Sequence, residues 1–406
     1  MHKRSFAGPE EAQVRVRAIP GHGGRDMSRR VSRARRWVAV SVALGAVAVL
    51  AGCRGPDNGQ NSLDPQGPAA RTIDNLFVPV FLIATVIGIG VLAATVFVAI
   101  RYRSGAGRNE NPKQIHGSTP LEIGWTIIPA LILLVVAVFT IRTVFDLARE
   151  PEGDVLQVTS VGKQWWWQFN YPDEEIVTAN ELVIPTETEV RVKLTACDDS
   201  LPGECNVIHS FWVPELAGKM DVIPGRDNAT TIEADDPGTY LGQCAEYCGL
   251  SHANMRFRVI AKEPADYEQW VEEQQAPPAV PLQGGADDAD PAGPAQALVL
   301  ETYQCGNCHT FDNPGASTYG PNLAHFASRT TFASGYYELT RERLIEWLLD
   351  APSLIPMETE DCREPGAPAV EGGTCVGMPS FTKDGPGPVM SQSDAEQIAD
   401  YLLSLK

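Results

Sequence analysis

Two long apolar runs constrain this chain more than any other feature. Leu76–Ile100 and Ile123–Phe145 are each long enough to cross a bilayer. Lipid offers the backbone no hydrogen-bond partner, so a single spanning segment of this length must be a helix. A transmembrane helical hairpin is therefore expected over residues 70–148, with spans at about 76–100 and 123–145. The loop between the spans holds Arg101, Arg103, Arg108 and Lys113 against Glu110. That excess of positive charge places it in the cytoplasm. Both ends of the hairpin, and everything after Phe145, then face the other side.

The start of the chain agrees with export. Residues 1–52 carry ten Lys/Arg against three Asp/Glu, so the remainder is more acidic than the total of −19. From Met27 a basic run leads into a short apolar run and then Leu50-Ala51-Gly52-Cys53. Residues 1–52 read as a signal peptide, with Met27 as a candidate true start. The last four residues resemble the lipobox of bacterial lipoproteins, which implies a lipid on Cys53. The alternative is an uncleaved first anchor. The expected location is the bacterial cytoplasmic (cell) membrane, multi-pass, in contact with membrane lipid. The acidic exported part argues against nucleic acid and for basic protein partners.

Beyond the membrane the pattern changes twice. From residue 150 to 262 short segments such as "VLQVTSV", "EVRVKLTA", "GTYLGQC" and "MRFRVIA" are separated by Gly, Pro and Asp. About eight strands in this length suggest an all-β sandwich or small barrel. Residues 263–296, with "APPAVPLQGGADDADPAGPAQ", read as a flexible acidic linker. Residues 297–406 turn helical, through "RERLIEWLLDA" and "SDAEQIADYLLSL". Ser393 and Glu396 are spaced as a capping box for the last helix.

The chemistry concentrates in "QCAEYCGLSHANM", Gln243 to Met255. Cys244, Cys248, His252 and Met255 mix thiolate, imidazole and thioether, a set suited to copper rather than to magnesium or calcium. A structural zinc site would use four Cys/His and leave Met out. Two thiolates can bridge two coppers, each of which then needs one imidazole. His252 supplies one, and His209 in "VIHSFWVPEL" is the available second. The bland alternative is a Cys244–Cys248 disulfide.

Here the residues resemble a known family. "GKQWWWQF" (162–169), "HSFWVPELAGKMDVIPG" (209–225), "CAEYCGLSHANM" (244–255) and the membrane segment "PLEIGWTIIPALIL" (120–133) look like the dinuclear copper (CuA) subunit II of cytochrome c oxidase. The resemblance implies an all-β cupredoxin fold of Greek-key type over residues 150–262. It implies that Cys244 and Cys248 bridge two copper ions, that His209 and His252 each bind one, and that Met255 and the backbone carbonyl of Glu246 are weak axial ligands. The Glu246 side chain would reach a magnesium or manganese ion at the subunit I interface. Trp165 matches a tryptophan that receives electrons, against an ordinary core role. Glu122 matches a glutamate at the mouth of a proton channel, against a helix N-terminal acid favoured by the dipole.

A second electron site follows. "YQCGNCH" (303–309) is a C-x-x-C-H motif, which in an exported chain reads as covalent haem c attachment through Cys305 and Cys308 with His309 as axial ligand. With "YGPNL" (319–323) and "GMPSF" (377–381) it resembles a class I cytochrome c, an all-α domain. Met378 is then the second axial ligand, with Met357, Met390 and His325 as competitors. A thioredoxin-like dithiol would need a βαβ pattern that is missing. Four cysteines remain as local pairs, Cys197 with Cys205 and Cys362 with Cys375, expected as disulfides in an oxidising compartment.

The whole reads as a multidomain membrane protein: subunit II of a haem-copper oxidase fused to a cytochrome c, the caa type. Implied partners are oxidase subunits I and III and an external donor, a cytochrome c or a cytochrome bc complex. The implied reaction is oxygen reduction to water in subunit I with proton pumping. The rivals are the CuA subunit of a nitric oxide reductase and, in another class, a membrane-tethered copper chaperone.

Overall fold

The computed structural model describes residues 59–103, 116–151, 153, 155–196, 207–278, 293–311, 319–357, 377–385 and 388–406, with the single residues 37 and 45. Cys53 and the pairs Cys197/Cys205 and Cys362/Cys375 lie outside the described residues. Everything below belongs to one compact unit, Gly59–Lys406.

The two apolar runs form helices α1 (Pro68–Arg101) and α2 (Thr119–Leu147), each starting with a proline in its first turn, where the missing N–H costs nothing. At 34 residues α1 is about 51 Å long, well beyond the roughly 30 Å hydrocarbon layer. Its first turns serve a different purpose from the rest. The Ala70 amide donates to the Leu216 carbonyl (3.1 Å) and Arg71 makes a two-pronged ion pair with Asp235. Just before it, the Gln66 amide donates to Glu215 (2.8 Å) and Asp235 donates back to Gln66 (3.0 Å). A Cβ on Gly67 would lie 2.1 Å from the Glu233 carbonyl oxygen, so only glycine fits there. The first span is thus pinned to the exported β-domain.

That domain has ten strands rather than about eight: β1 (Leu156–Lys163), β2 (Trp166–Tyr171), β3 (Ile176–Ala179), β4 (Glu181–Pro185), β5 (Val190–Thr195), β6 (His209–Trp212), β7 (Met220–Val222), β8 (Asn228–Ile232), β9 (Gly238–Cys244) and β10 (Arg256–Lys262). They form two five-stranded sheets, in orders β3-β2-β1-β5-β8 and β4-β10-β9-β6-β7. Pairs β1/β5 and β4/β10 are parallel, the others antiparallel. Alternation sets the faces: Val190, Val192 and Leu194 point inward while Arg191 and Lys193 do not. Trp167, Phe169, Phe211 and Phe257 fill the space between the sheets, with Phe211 and Phe257 stacked at 4.6 Å. The Tyr171 hydroxyl donates to the Val183 carbonyl (2.9 Å) and accepts from its amide (2.8 Å), which satisfies a buried phenol and ties the sheets together.

The linker expected over 263–296 starts too early. Pro264–Gln275 is a helix, α3, with Tyr267, Trp270 and Gln274 buried. These residues recur at three- and four-residue spacing, and Trp270 packs on Tyr171 at 5.3 Å. The surrounding polar composition hid an amphipathic face.

In the C-terminal part, α4 (Gly293–Ala297) runs into a wider turn at Leu298–Thr302. Helices α5 (Arg341–Leu354) and α6 (Gln392–Leu402) pack together, and the Tyr303 hydroxyl donates to Asp394 (2.8 Å). The domain is helical, with one small hairpin of β11 (Thr331–Phe332) and β12 (Tyr337–Glu338) added. One expectation needs correction. The N-cap of α6 is Ser391, whose Oγ accepts from the Asp394 amide (3.1 Å); Ser393 already lies inside the first turn.

Candidate metal centres

The β-domain gathers its soft donors at one end. β6 begins at His209 and pairs with β9, Phe211 opposite Cys244, so the His209 side chain arrives beside the last residue of β9. The chain then loops through Cys248, makes a 3-10 turn at His252–Asn254 and enters β10 after Met255. The loop is closed by backbone bonds, from Cys244 to Met255 (2.9 Å) and from Ala245 to Ser210 (2.9 Å). The side chains of Gln164 and Trp165 both donate to the Cys248 carbonyl at 2.9 Å. Gly162 gives His209 room: a Cβ there would lie 2.8 Å from the imidazole.

Six donor atoms converge as a result. The Cys244 and Cys248 sulfurs are 3.8 Å apart. His209 Nδ1 lies 3.8 Å from the first and His252 Nδ1 3.6 Å from the second. Met255 Sδ is 3.8 Å from Cys248 Sγ, and the Glu246 carbonyl oxygen is 3.2 Å from Cys244 Sγ. His209, Cys244 and Cys248 are buried and their ligand atoms lie within 4.8 Å of one another. A hydrogen bond from the Cys248 thiol pulls the Cys244 thiol well below its ordinary range. The same contact and burial push Cys248 up. Binding a cation to two such thiols displaces their protons. His209 is 0% exposed, and its Nε2 has no hydrogen-bond partner among the described residues. The other ring nitrogen, Nδ1, faces the Cys244 sulfur and is the one placed to bind a metal. The donor set fits copper.

The C-x-x-C-H motif forms a 3-10 turn, Cys305–Asn307, which puts both cysteines and His309 on one short loop. His309 Nδ1 donates to the Pro321 carbonyl (2.8 Å), which leaves Nε2 as the ligating nitrogen. Burial lowers the His309 pKa, keeping the ring neutral as a ligand must be. Gly320 is the close neighbour; a Cβ there would lie 2.6 Å from His309 Cε1. Cys305 and Met378 both pack on the apolar cluster of Val299, Tyr303, Leu323, Phe332, Leu348 and Phe381. These surroundings and donors fit a covalently held haem. The Met378 amide donates to Met357 Sδ (3.2 Å), so two of the competing methionines are neighbours, while Met390 is buried in the same cluster. His325 is buried, and burial lowers its pKa, with the Lys406, Ala276 and Gln274 backbones acting the other way.

Glu122 stands in the first turn of α2 and accepts from the Ser118 amide (3.3 Å), the N-terminal role. The Glu246 carboxylate accepts from the Tyr247 amide (3.2 Å). Sequence reasoning missed Gln164, Gly162 and Gly320, supports whose only signal is nearness to a motif.

Comparison with known proteins decides the family. Residues 57–143 match the family described as cytochrome C oxidase subunit II, transmembrane domain, and residues 174–262 match cytochrome C oxidase subunit II, periplasmic domain. Cytochrome c oxidase subunit 2 of Alkalihalophilus pseudofirmus is 36% identical over 363 residues, 88% of this chain and 94% of that protein. The chain belongs to the cytochrome c oxidase subunit II family. The Bacillus subtilis cytochrome c oxidase subunit 2 is 31% identical over 342 residues, 79% of this chain and 91% of that one. The periplasmic domain of subunit II of cytochrome oxidase from Bradyrhizobium japonicum aligns at 34% identity, covering 30% of this chain and 95% of its own, with a TM-score of 0.28. As a subunit II, the chain is a membrane-anchored member of an oxidoreductase complex, associates with other oxidase subunits, and carries the copper-binding domain on the periplasmic side. The family implies a CuA centre, and the His and Cys cluster at the end of β9 agrees with it.

Proposed function

We propose that this subunit II carries its own electron donor. Cys305 and Cys308 hold haem c, with His309 and Met378 as axial ligands. His209, Cys244, Cys248, His252, Met255 and the Glu246 carbonyl hold two copper ions. The haem and copper held by these residues would supply one-electron transfer between an external cytochrome c or cytochrome bc complex and haem a in subunit I. There oxygen is reduced to water and protons are pumped. Subunits I and III complete the assembly.

The copper held by these residues would supply one-electron transfer. The chain's part is to hold the ligands still. Backbone bonds from Ala245 to Ser210 and from Cys244 to Met255 clamp the loop at both ends. The Trp165 indole, donating to the Cys248 carbonyl, is the entry contact. Glu246 further reaches a magnesium or manganese ion shared with subunit I. Glu122 feeds protons toward that subunit from the cytoplasmic side. Residues 1–52 are removed and Cys53 is acylated; Cys197–Cys205 and Cys362–Cys375 are disulfides.

The observation that carries this reading is the convergence of six donor atoms from two segments, β6 and the Cys244–Met255 loop, at one end of the β-sandwich. The test is an EPR spectrum of the purified chain loaded with copper. The expected hyperfine pattern is that of one electron shared equally by two copper nuclei. The simpler pattern of a single copper would overturn the dinuclear site and favour a chaperone.

A further inference from the structure

The carboxylate of Glu181 sits at the start of edge strand β4 and is 5% exposed, though an edge-strand acid normally faces water. Among the described residues it belongs to no ion pair. Its oxygens take hydrogens instead from four donors of the C-terminal domain. The Thr330 amide and hydroxyl donate to Oε1 at 2.9 and 2.6 Å, and the Thr331 amide and hydroxyl at 2.8 and 2.7 Å. The partners are 149 and 150 positions apart in sequence. A buried carboxylate is tolerated only where its lone pairs are filled, and here a second domain fills them.

The hairpin that follows is shaped by the same contact. Ala333, Ser334 and Gly335 at its tip have φ of 52°, 59° and 68°, two non-glycine residues in succession in the left-handed region. Such a run persists where its surroundings hold it. The β-domain holds this one. The Arg256 amide donates to the Ser334 carbonyl (3.2 Å), the Ser334 hydroxyl donates to the Trp165 carbonyl, and Gly335 lies against the Arg256–Phe257 backbone. On the flanks Arg258 pairs with Glu338 (2.7 Å) and the Arg256 guanidinium lies over the Tyr336 ring at 4.7 Å.

We propose that Glu181 and the Thr330–Leu339 hairpin form a latch that holds the C-terminal domain in one register beside the copper loop, with Trp165 sealed beneath the hairpin tip. Glu181 is a positioning residue, since it touches neither donor set. Two hydrogen-bonded crossings result. One runs from Ser334 to the Trp165 carbonyl and, through that residue's indole, to the carbonyl of Cys248. The other runs from Ser251, next to His252, to the Pro356 carbonyl, next to Met357. Trp165 is only 6% exposed in this register. A diffusing donor cannot reach it, so electrons enter through the fused domain. This last consequence rests on the functional reading above; the latch does not.

The test uses the full chain in detergent, as wild type, Glu181→Ala and Glu181→Gln. Hydrogen exchange reports the Thr330 and Thr331 amides, and hydroxyl-radical footprinting reports Trp165. Glu181→Ala is expected to speed exchange across the hairpin about tenfold or more and to expose Trp165 to oxidation. Glu181→Gln keeps one acceptor oxygen and should recover part of the protection. Should Glu181→Ala fail to fold, Thr331→Val and Ser334→Ala probe the same contacts. Unchanged exchange and an unchanged Trp165 footprint would overturn the latch. Internal transfer from haem to copper should slow in step with the loss of protection; transfer at the wild-type rate with the hairpin released would overturn the crossings. A wild-type chain without haem or copper signals would count against the functional reading alone, because neither protection readout needs a cofactor.

Discussion

The β-sandwich and the C-terminal domain present their candidate ligands in opposite ways. In the β-sandwich the ligands come from strand ends and a clamped loop, and the core beneath them is complete without metal. Trp167, Phe211 and Phe257 pack against one another, and ten strands satisfy the backbone. In the C-terminal domain the described backbone from Tyr303 to Leu339 has only two 3-10 turns and one hairpin of two-residue strands. What unites it is a cluster of side chains from separate segments, on which Cys305 and Met378 pack. A scaffold built from ladders can wait for its metal. A core assembled from scattered side chains would, on the reading proposed above, depend on the haem that it holds.

The largest expected effect breaks that comparison or upholds it. Replacing Cys305 and Cys308 together by Ala should abolish the separate cooperative unfolding of the C-terminal domain. Replacing Cys244 and Cys248 by Ala should leave the β-sandwich folded. It should cost only what bound copper contributes, about 4 kcal/mol when free copper is a thousandfold above its Kd. Calorimetry of both variants, with copper and with chelator, separates the two transitions. Equal losses in both domains would refute the contrast.

The same contrast governed what could be read in the sequence. Cys244, Cys248, His252 and Met255 lie within one loop, so their spacing exposed the chemistry at once. His209 comes from another strand and was legible only through the resemblance of the surrounding "HSFWVPEL" segment. The spans were plain because bilayer thickness imposes a length that few soluble helices match. Helix α3 was not, because Tyr267, Trp270 and Gln274 are spread among acidic and amide residues next to a Pro- and Gly-rich stretch. The Glu181 contact left no local trace. Its partners are far off in sequence, and two adjacent threonines look like any β-prone pair. Interactions between domains depend on how finished surfaces meet, and no periodicity records that.

A middle-sized effect sharpens the haem side. Met378 and Met357 are neighbours, joined by the bond from the Met378 amide to the Met357 sulfur. Gly377, at φ +114°, brings the chain so close that a Cβ would lie 2.6 Å from that sulfur. The two residues therefore have different tasks. Met357 supports the turn, and Met378 would supply the thioether under the reading proposed above. Met378→Leu should lower the haem midpoint potential by on the order of 0.1 V or more, within the roughly 0.8 V range that axial ligands command. Met357→Leu should shift it much less. Redox titration of the haem absorbance checks both, and a larger shift from Met357→Leu would reverse the assignment.

The smallest effect concerns α6, which closes the C-terminal domain against α5. Two serines could cap it. Ser393 has the capping-box spacing with Glu396, but the structure uses Ser391, whose hydroxyl oxygen accepts from the Asp394 amide. The choice follows from geometry. A cap must sit in extended backbone before the first turn, and Ser391 does so at φ −78° and ψ 156°. Ser393 lies two residues past the cap, inside the first turn. Ser391→Ala should therefore cost about 1 kcal/mol. Ser393→Ala should stay within about 0.5 kcal/mol, the range of an ordinary surface change. Measured by denaturant unfolding of the haem-loaded protein, the pair tests whether this domain owes any of its stability to local backbone order. If both changes are silent, α6 is held by packing of Ile398, Tyr401 and Leu402 alone, and the dependence of the domain on its side-chain core is stronger still.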